Sequence, residues 1–86
     1  MSTTRAAKAL NPEDVRIGQT LRALREKSGL GLTQASHAID KSYSYLSNIE
    51  AGRKRLTPIL LARLAALYGV PQAAIARPDL FADAAA

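Results

Sequence analysis

The spacing of helix starts and stops constrains this chain most. Asn11-Pro12-Glu13-Asp14, Thr57-Pro58 and Pro71 each open a helical segment, and Gly29, Gly52 and Gly69 stand where segments would close. Asn and Thr oxygens cap free backbone N–H groups, proline is tolerated in the first helical turn, and glycine supplies the left-handed residue past a helix end. Between these marks apolar residues recur at helical spacing: Ile17, Leu21 and Leu24, then Leu60, Leu61, Leu64, Ala65, Leu67 and Tyr68. There is no alternating strand pattern and no internal repeat. The expectation is an all-α fold of about five short helices. They cover roughly 12–28, 31 or 32 to 39, 42–51, 58–68, and a short piece between Pro71 and Arg77-Pro78. The leucine-rich fourth segment is the expected centre of the core. Gly31 with Gln34, or alternatively Thr33, caps the second segment, whose small apolar side is Ala35, Ala38 and Ile39.

At 86 residues the chain is one small domain with one modest core. It has no cysteine, so neither a disulfide nor a cysteine-ligated metal site is available, and stability rests on packing or self-association. The longest apolar run, Ile59 to Ala62, is far too short to span a bilayer. Residues 1–10 lack the apolar centre of a signal peptide, so a cytoplasmic location is expected. The formal net charge is +5, which favours a polyanionic partner because Arg53, Lys54 and Arg55 are contiguous with no acid among them.

The third segment, Ser42 to Ala51, has a dry face and a wet face. Leu46 and Ile49 are three apart and turn to a core. Tyr43, Ser44, Ser47 and Asn48 fall on the other side, all uncharged and all able to donate or accept hydrogen bonds. A helix offering hydrogen bonds outward beside a cationic turn suits a base-pair edge and its flanking phosphates. The tight link Ile39-Asp40-Lys41 between the second and third segments makes the pair a helix-turn-helix.

From Leu32 to Gly52 the order Leu-Thr-Gln-Ala-Ser-His-Ala-Ile-Asp-Lys-Ser-Tyr-Ser-Tyr-Leu-Ser-Asn-Ile-Glu-Ala-Gly resembles the helix-turn-helix of the Cro/C1-type family, often called the Xre family. The resemblance extends over about residues 15–76, through Arg25 before Gly29, Ile49-Glu50, Thr57-Pro58, Leu64-Ala65 and Gly69-Val70. Its strongest part is Tyr45-Leu46-Ser47 with Ile49-Glu50. It departs from the family pattern at Ala35-Ser36, where Leu-Ala is usual, at Asp40-Lys41, where Gly then Val is favoured, and at Leu32, where glutamine is common.

This resemblance implies a compact five-helix lambda-repressor-like DNA-binding domain at 11–76, between a flexible basic arm at 1–10 and a tail at 77–86. It implies base contacts from Tyr43, Ser44, Ser47 and Asn48. It implies phosphate contacts from Arg53, Lys54 and Arg55, with Thr33, Gln34 and the Tyr45 hydroxyl as further candidates, and a structural ion pair between Arg25 and Glu50. Arg5 and Lys8 are candidates for an arm lying along the DNA. Family members usually act as dimers on near-palindromic sites, so a homodimer is implied, with Val70, Ile75, Leu80 and Phe81 at its surface and Tyr68 in the core or the dimer contact. The implied function is a sequence-specific double-stranded DNA-binding regulator, a small phage-like repressor, cytoplasmic and nucleoid-associated. No cofactor or metal is implied: His37 stands alone, and no nucleophile context or phosphate loop supports an enzyme. Two rivals share the fold: an antitoxin that also blocks a toxin, and an interaction module that has lost DNA. A protein partner, toxin or anti-repressor, fits the first.

Overall fold

A computed structural model describes residues 10–76. Among them are four α-helices, α1 (Pro12–Lys27), α2 (Leu32–Ala38), α3 (Tyr43–Glu50) and α4 (Pro58–Tyr68), followed by one 3-10 turn, Gln72–Ala74. No strand occurs among the described residues. Arg5, Lys8, Leu80 and Phe81 lie outside them.

The helices start where side-chain oxygens meet free N–H groups. Asn11 Oδ1 accepts from the N–H groups of Glu13 at 2.8 Å and Asp14 at 3.3 Å. Ser42 Oγ accepts from Tyr45 at 3.1 Å, and Thr57 Oγ1 from Leu60 at 3.3 Å. Helix α2 has Gly31 as its cap, and the Gly31 N–H donates to Gln34 Oε1 at 2.8 Å, so only the reciprocal half of a capping box forms.

All four helices end in the same closure, in which two successive N–H groups reach back to the last carbonyls. Gly29 and Leu30 bond Glu26 and Arg25, and Gly52 and Arg53 bond Ile49 and Asn48. Gly69 and Val70 bond Ala66 and Ala65. At the end of α2, Asp40 bonds His37 at 3.0 Å and Lys41 bonds Ser36 at 2.9 Å. The pivot of this closure is left-handed, and three of the four pivots are glycine. The fourth is Asp40, at φ 60°, the one non-glycine pivot among the described residues. That geometry explains why glycine suits this position and marks Asp40 as locally strained.

The fifth helix expected after Pro71 is instead the single 3-10 turn, held by Ala74 to Pro71 at 2.9 Å and Ile75 to Gln72 at 2.9 Å. Proline at 71 and at 78 leaves too few residues for a helix to propagate. The turn delivers Ile75 into the core at 1% exposure, so Ile75 is not at a dimer surface as expected. It joins one core cluster with Leu60, Leu61 and Leu64 of α4, Ile17 and Leu21 of α1, and Leu46 and Ile49 of α3. Burying each such side chain stabilises the fold by roughly 1.5–3 kcal/mol before entropy is counted. Ser36, where the family pattern prefers an apolar residue, is tolerated in the core because its hydroxyl donates to the Thr33 carbonyl at 3.1 Å.

Helix α1 lies directly on the end of α3. Gly18 is buried against that end, and a Cβ there would overlap the Glu50 carbonyl oxygen and sit 2.6 Å from that of Ile49. Gly52, just past α3, meets Val15 the same way, its missing Cβ falling 2.8 Å from the Val15 Cα. These two contacts set the position of the whole outward face of α3.

Candidate nucleic-acid interface

Helix α3 turns Leu46 and Ile49 into the core and leaves its polar side out. Tyr43 is 54% exposed and Ser44 is exposed, while Ser47 and Asn48 are half-buried further along the same helix. Thr33 and Gln34 are exposed at the start of α2, although the Gln34 amide oxygen is already engaged by Gly31.

The three cations after α3 do not form a uniform strip. Arg53 turns back to Asn48, its Nε donating to Asn48 Oδ1 at 2.9 Å. Lys54 places its ammonium 4.9 Å from the centre of the Tyr45 ring. Arg55 reaches toward α1, with Nε 3.6 Å from Asp14 Oδ1, so part of its charge is balanced. Tyr45 itself is half-buried, with its ring packed on the core edge.

One cation escaped the sequence reasoning. Lys41, in the turn before α3, stands 4.9 Å from the centre of the same Tyr45 ring. Tyr45 therefore gathers a lysine from each end of α3, one from the turn and one from the following loop. The spacing of Lys41 and Tyr45, four apart, was the available signal, obscured because Lys41 precedes the helix. The turn is fixed from below by Arg63 of α4, whose Nη1 donates to the Ile39 carbonyl at 3.1 Å.

Arg25 and Glu50 meet as a two-pronged pair, Nε to Oε2 at 2.8 Å and Nη2 to Oε1 at 3.1 Å. The remaining Nη1 donates to the Leu30 carbonyl at 2.9 Å. Arg25 thus ties α1, the α1–α2 link and the end of α3 together. The side chains are only 10% and 6% exposed, so the pair is nearly dry. The hydrogen bond to Glu50 raises the Arg25 pKa further above its already high value, although burial opposes this. Tyr68 lies close enough to feel both charges. Burial, and then the negative charge of Glu50, push its hydroxyl up to about 12, against the opposing effect of Arg25. That hydroxyl is buried and has no hydrogen-bond partner among the described residues.

A cleft beside the pair is lined by Arg22, Leu32, Ser47 and Ala51 as well as Arg25 and Glu50. Ser47 therefore borders both the outward face of α3 and the ion pair. Among the described residues no three His, Cys, Asp or Glu come together as a metal site would need, and no helix is long and apolar enough to cross a membrane.

Comparison with known proteins places this geometry. A family model described as a helix-turn-helix domain matches residues 16–77. The clp gene regulator ClgR of Corynebacterium glutamicum has a solved structure that superposes with a TM-score of 0.71 at 31% identity, over 76% of this chain and 84% of that one. The DNA-binding domain of BldD superposes with a TM-score of 0.66 at 29% identity, over 73% of this chain and 92% of that one. The restriction-modification controller protein C.AhdI of Aeromonas hydrophila shares the fold, with a TM-score of 0.72 at 23% identity, over 76% of this chain and 98% of its own. Among curated proteins none matches. The fold is that of DNA-binding transcriptional regulators, and the chain belongs to the helix-turn-helix family of the Cro/C1 type.

Proposed function

We propose that the protein is a sequence-specific double-stranded DNA-binding transcriptional regulator, a small repressor that occludes a promoter by binding a near-palindromic operator as a homodimer. The observation that carries this reading is the outward side of α3. Its side chains Tyr43, Ser44, Ser47 and Asn48 are uncharged hydrogen-bonding groups, and cations stand at both ends of the helix, Lys41 before it and Arg53 and Lys54 after it. In this reading the four polar side chains face base edges in the major groove. Lys41, Arg53 and Lys54 hold phosphates, with Arg55, Thr33, Gln34 and the Tyr45 hydroxyl beside them. The Arg25–Glu50 pair is structural, since each of the three guanidinium nitrogens of Arg25 already donates within the fold. Residues 11–76 form the DNA-binding unit. Arg5 and Lys8 follow a groove, and Leu80 and Phe81 contribute to dimer contact. The solved relatives named as a gene regulator and a DNA-binding domain support the same reading.

The test is selection of binding sites from a random DNA library with the full-length protein, followed by titrations at several salt concentrations. The expected result is an enriched near-palindrome with half-sites about one helical turn apart. The salt slope should fall by about 0.9 for each phosphate-holding cation removed, hence by about 1.8 for Lys41→Ala, which removes one from each protomer of the dimer. Absence of any enriched sequence, with binding lost at moderate salt, refutes the reading.

A further inference from the structure

Arg53 and Asn48 are bonded twice. The Arg53 backbone N–H donates to the Asn48 carbonyl at 2.9 Å as part of the closure of α3, and the Arg53 Nε donates to Asn48 Oδ1 at 2.9 Å. The first bond follows from helix-end geometry and puts the two residues side by side. The second has a chemical consequence. A guanidinium has five donors and no acceptor, so only the amide oxygen of Asn48 can face it. The orientation of the Asn48 amide is thereby fixed, with its oxygen toward Arg53 and its NH2 group turned the other way.

An asparagine free to rotate reads adenine by pairing its oxygen and its NH2 group with the adenine N6 donor and N7 acceptor. With its oxygen turned to Arg53 and one of that oxygen's two lone pairs taken, Asn48 presents its NH2 donors on the side away from Arg53. The major-groove edge of guanine, with acceptors at N7 and O6 and no donor, matches that pattern. We propose that Arg53 is a specificity-determining residue that acts through Asn48, holding its amide as a donor and directing it to guanine rather than adenine, while the Arg53 Nη groups hold the adjacent phosphate. The inference rests on the reading that α3 lies in the major groove. Lysine in place of Arg53 keeps the charge but lacks the planar fork that engages an amide and a phosphate at once.

Library selection with the full-length Asn48→Ala variant identifies the base pair that Asn48 reads. Selection and titration then compare the unmodified protein, Arg53→Lys and the charge-matched control Arg16→Lys, an exposed α1 residue paired with Glu13. Arg53 is exposed and its backbone bond to Asn48 survives substitution, so folded protein is expected and is checked by thermal melting. At the position read by Asn48, the unmodified protein and Arg16→Lys should favour guanine over adenine. Arg53→Lys should lose roughly tenfold of that preference at an unchanged salt slope. Adenine at that position in the unmodified protein, or an undiminished guanine preference in Arg53→Lys, overturns the proposal. An operator enriched but unaltered by Asn48→Ala also overturns it and leaves the DNA-binding reading intact. Failure to enrich any operator removes both together.

Discussion

Replacing Gly18 by alanine sets two physical effects against each other. Alanine is the better helix former by about 0.8–1 kcal/mol, and Gly18 lies in the middle of α1, so propensity alone argues for a more stable protein. Packing argues the reverse. The added Cβ would lie 2.6 Å from the Ile49 carbonyl oxygen and 2.8 Å from the Glu50 carbonyl carbon, below the 3.0 Å that real Cβ contacts respect. These neighbours are backbone at a helix end, not a side chain that can swing away. To regain ordinary contact with the Glu50 carbonyl oxygen, α1 must back off by about 1 Å. Overpacking of this kind costs roughly 1–3 kcal/mol. The displacement also strains the Arg25–Glu50 pair, because Glu50 is one of the residues struck and its bonds to Arg25 are already 2.8 and 3.1 Å long. Set against the helix-propensity gain, the net expectation is a destabilisation of about 1 kcal/mol, or roughly 4–8 °C in Tm for a domain of this size. Thermal melting by circular dichroism measures it, with the exposed neighbour Gln19→Ala as a control expected to change little. A Gly18→Ala melting temperature equal to or above that of the unmodified protein would refute the claim that α1 sits hard against the end of α3.

Arg25→Ala should cost roughly 3–5 kcal/mol, because it strands the nearly dry Glu50 carboxylate. Arg22→Ala should cost under about 1 kcal/mol, because its partner Glu26 is exposed, and equal losses in the two variants by chemical denaturation would refute the distinction. Asp40→Gly should raise stability by up to about 1 kcal/mol, since glycine takes the φ of 60° without strain. A lower urea midpoint for this variant counts against a strained pivot. Tyr68→Phe removes a buried hydroxyl that lacks a partner among the described residues, so the variant should be as stable as the unmodified protein or more so at pH 7. The same variant tests the pH dependence. The folded hydroxyl titrates near 12 against an unfolded value of 10, so its contribution is intact below pH 10 and is lost as pH rises through 12. Between pH 10 and 12 the unmodified protein should therefore lose stability faster than Tyr68→Phe, and parallel losses would sink the assignment.

The parts of this fold that could be read in the sequence are those decided within one helix turn. Asn11, Ser42 and Thr57 cap helices because their oxygens reach N–H groups two or three residues on, and Gly29, Gly52 and Gly69 pivot because only the local φ matters. What lay beyond reading depends on which elements meet. Gly18 looks like a weak point in α1 until α3 is seen to end against it. Ile75 looks like a spare apolar residue near the end of the chain until the 3-10 turn folds it inward. The basic run Arg53-Lys54-Arg55 reads as one charged strip, yet its members diverge to Asn48, Tyr45 and Asp14, since each side chain finds the nearest partner available to it.

The Asp40-Lys41 turn shows how a departure from a family pattern can act in two directions at once. Glycine followed by valine would relax the left-handed pivot and leave the turn uncharged. Here Asp40 takes the pivot at a local cost in conformational energy. Lys41, one residue on, supplies a cation that the usual valine cannot, and Tyr45 holds it beside Lys54. Two ammonium groups held at one aromatic ring concentrate positive charge at Tyr45, which a phosphate approaching either of them would partly neutralise. The same substitution pattern thus weakens the folded state slightly and strengthens its attraction for a polyanion. Asp40→Gly and Lys41→Val should therefore separate cleanly, the first acting on stability and the second on the salt dependence of DNA binding.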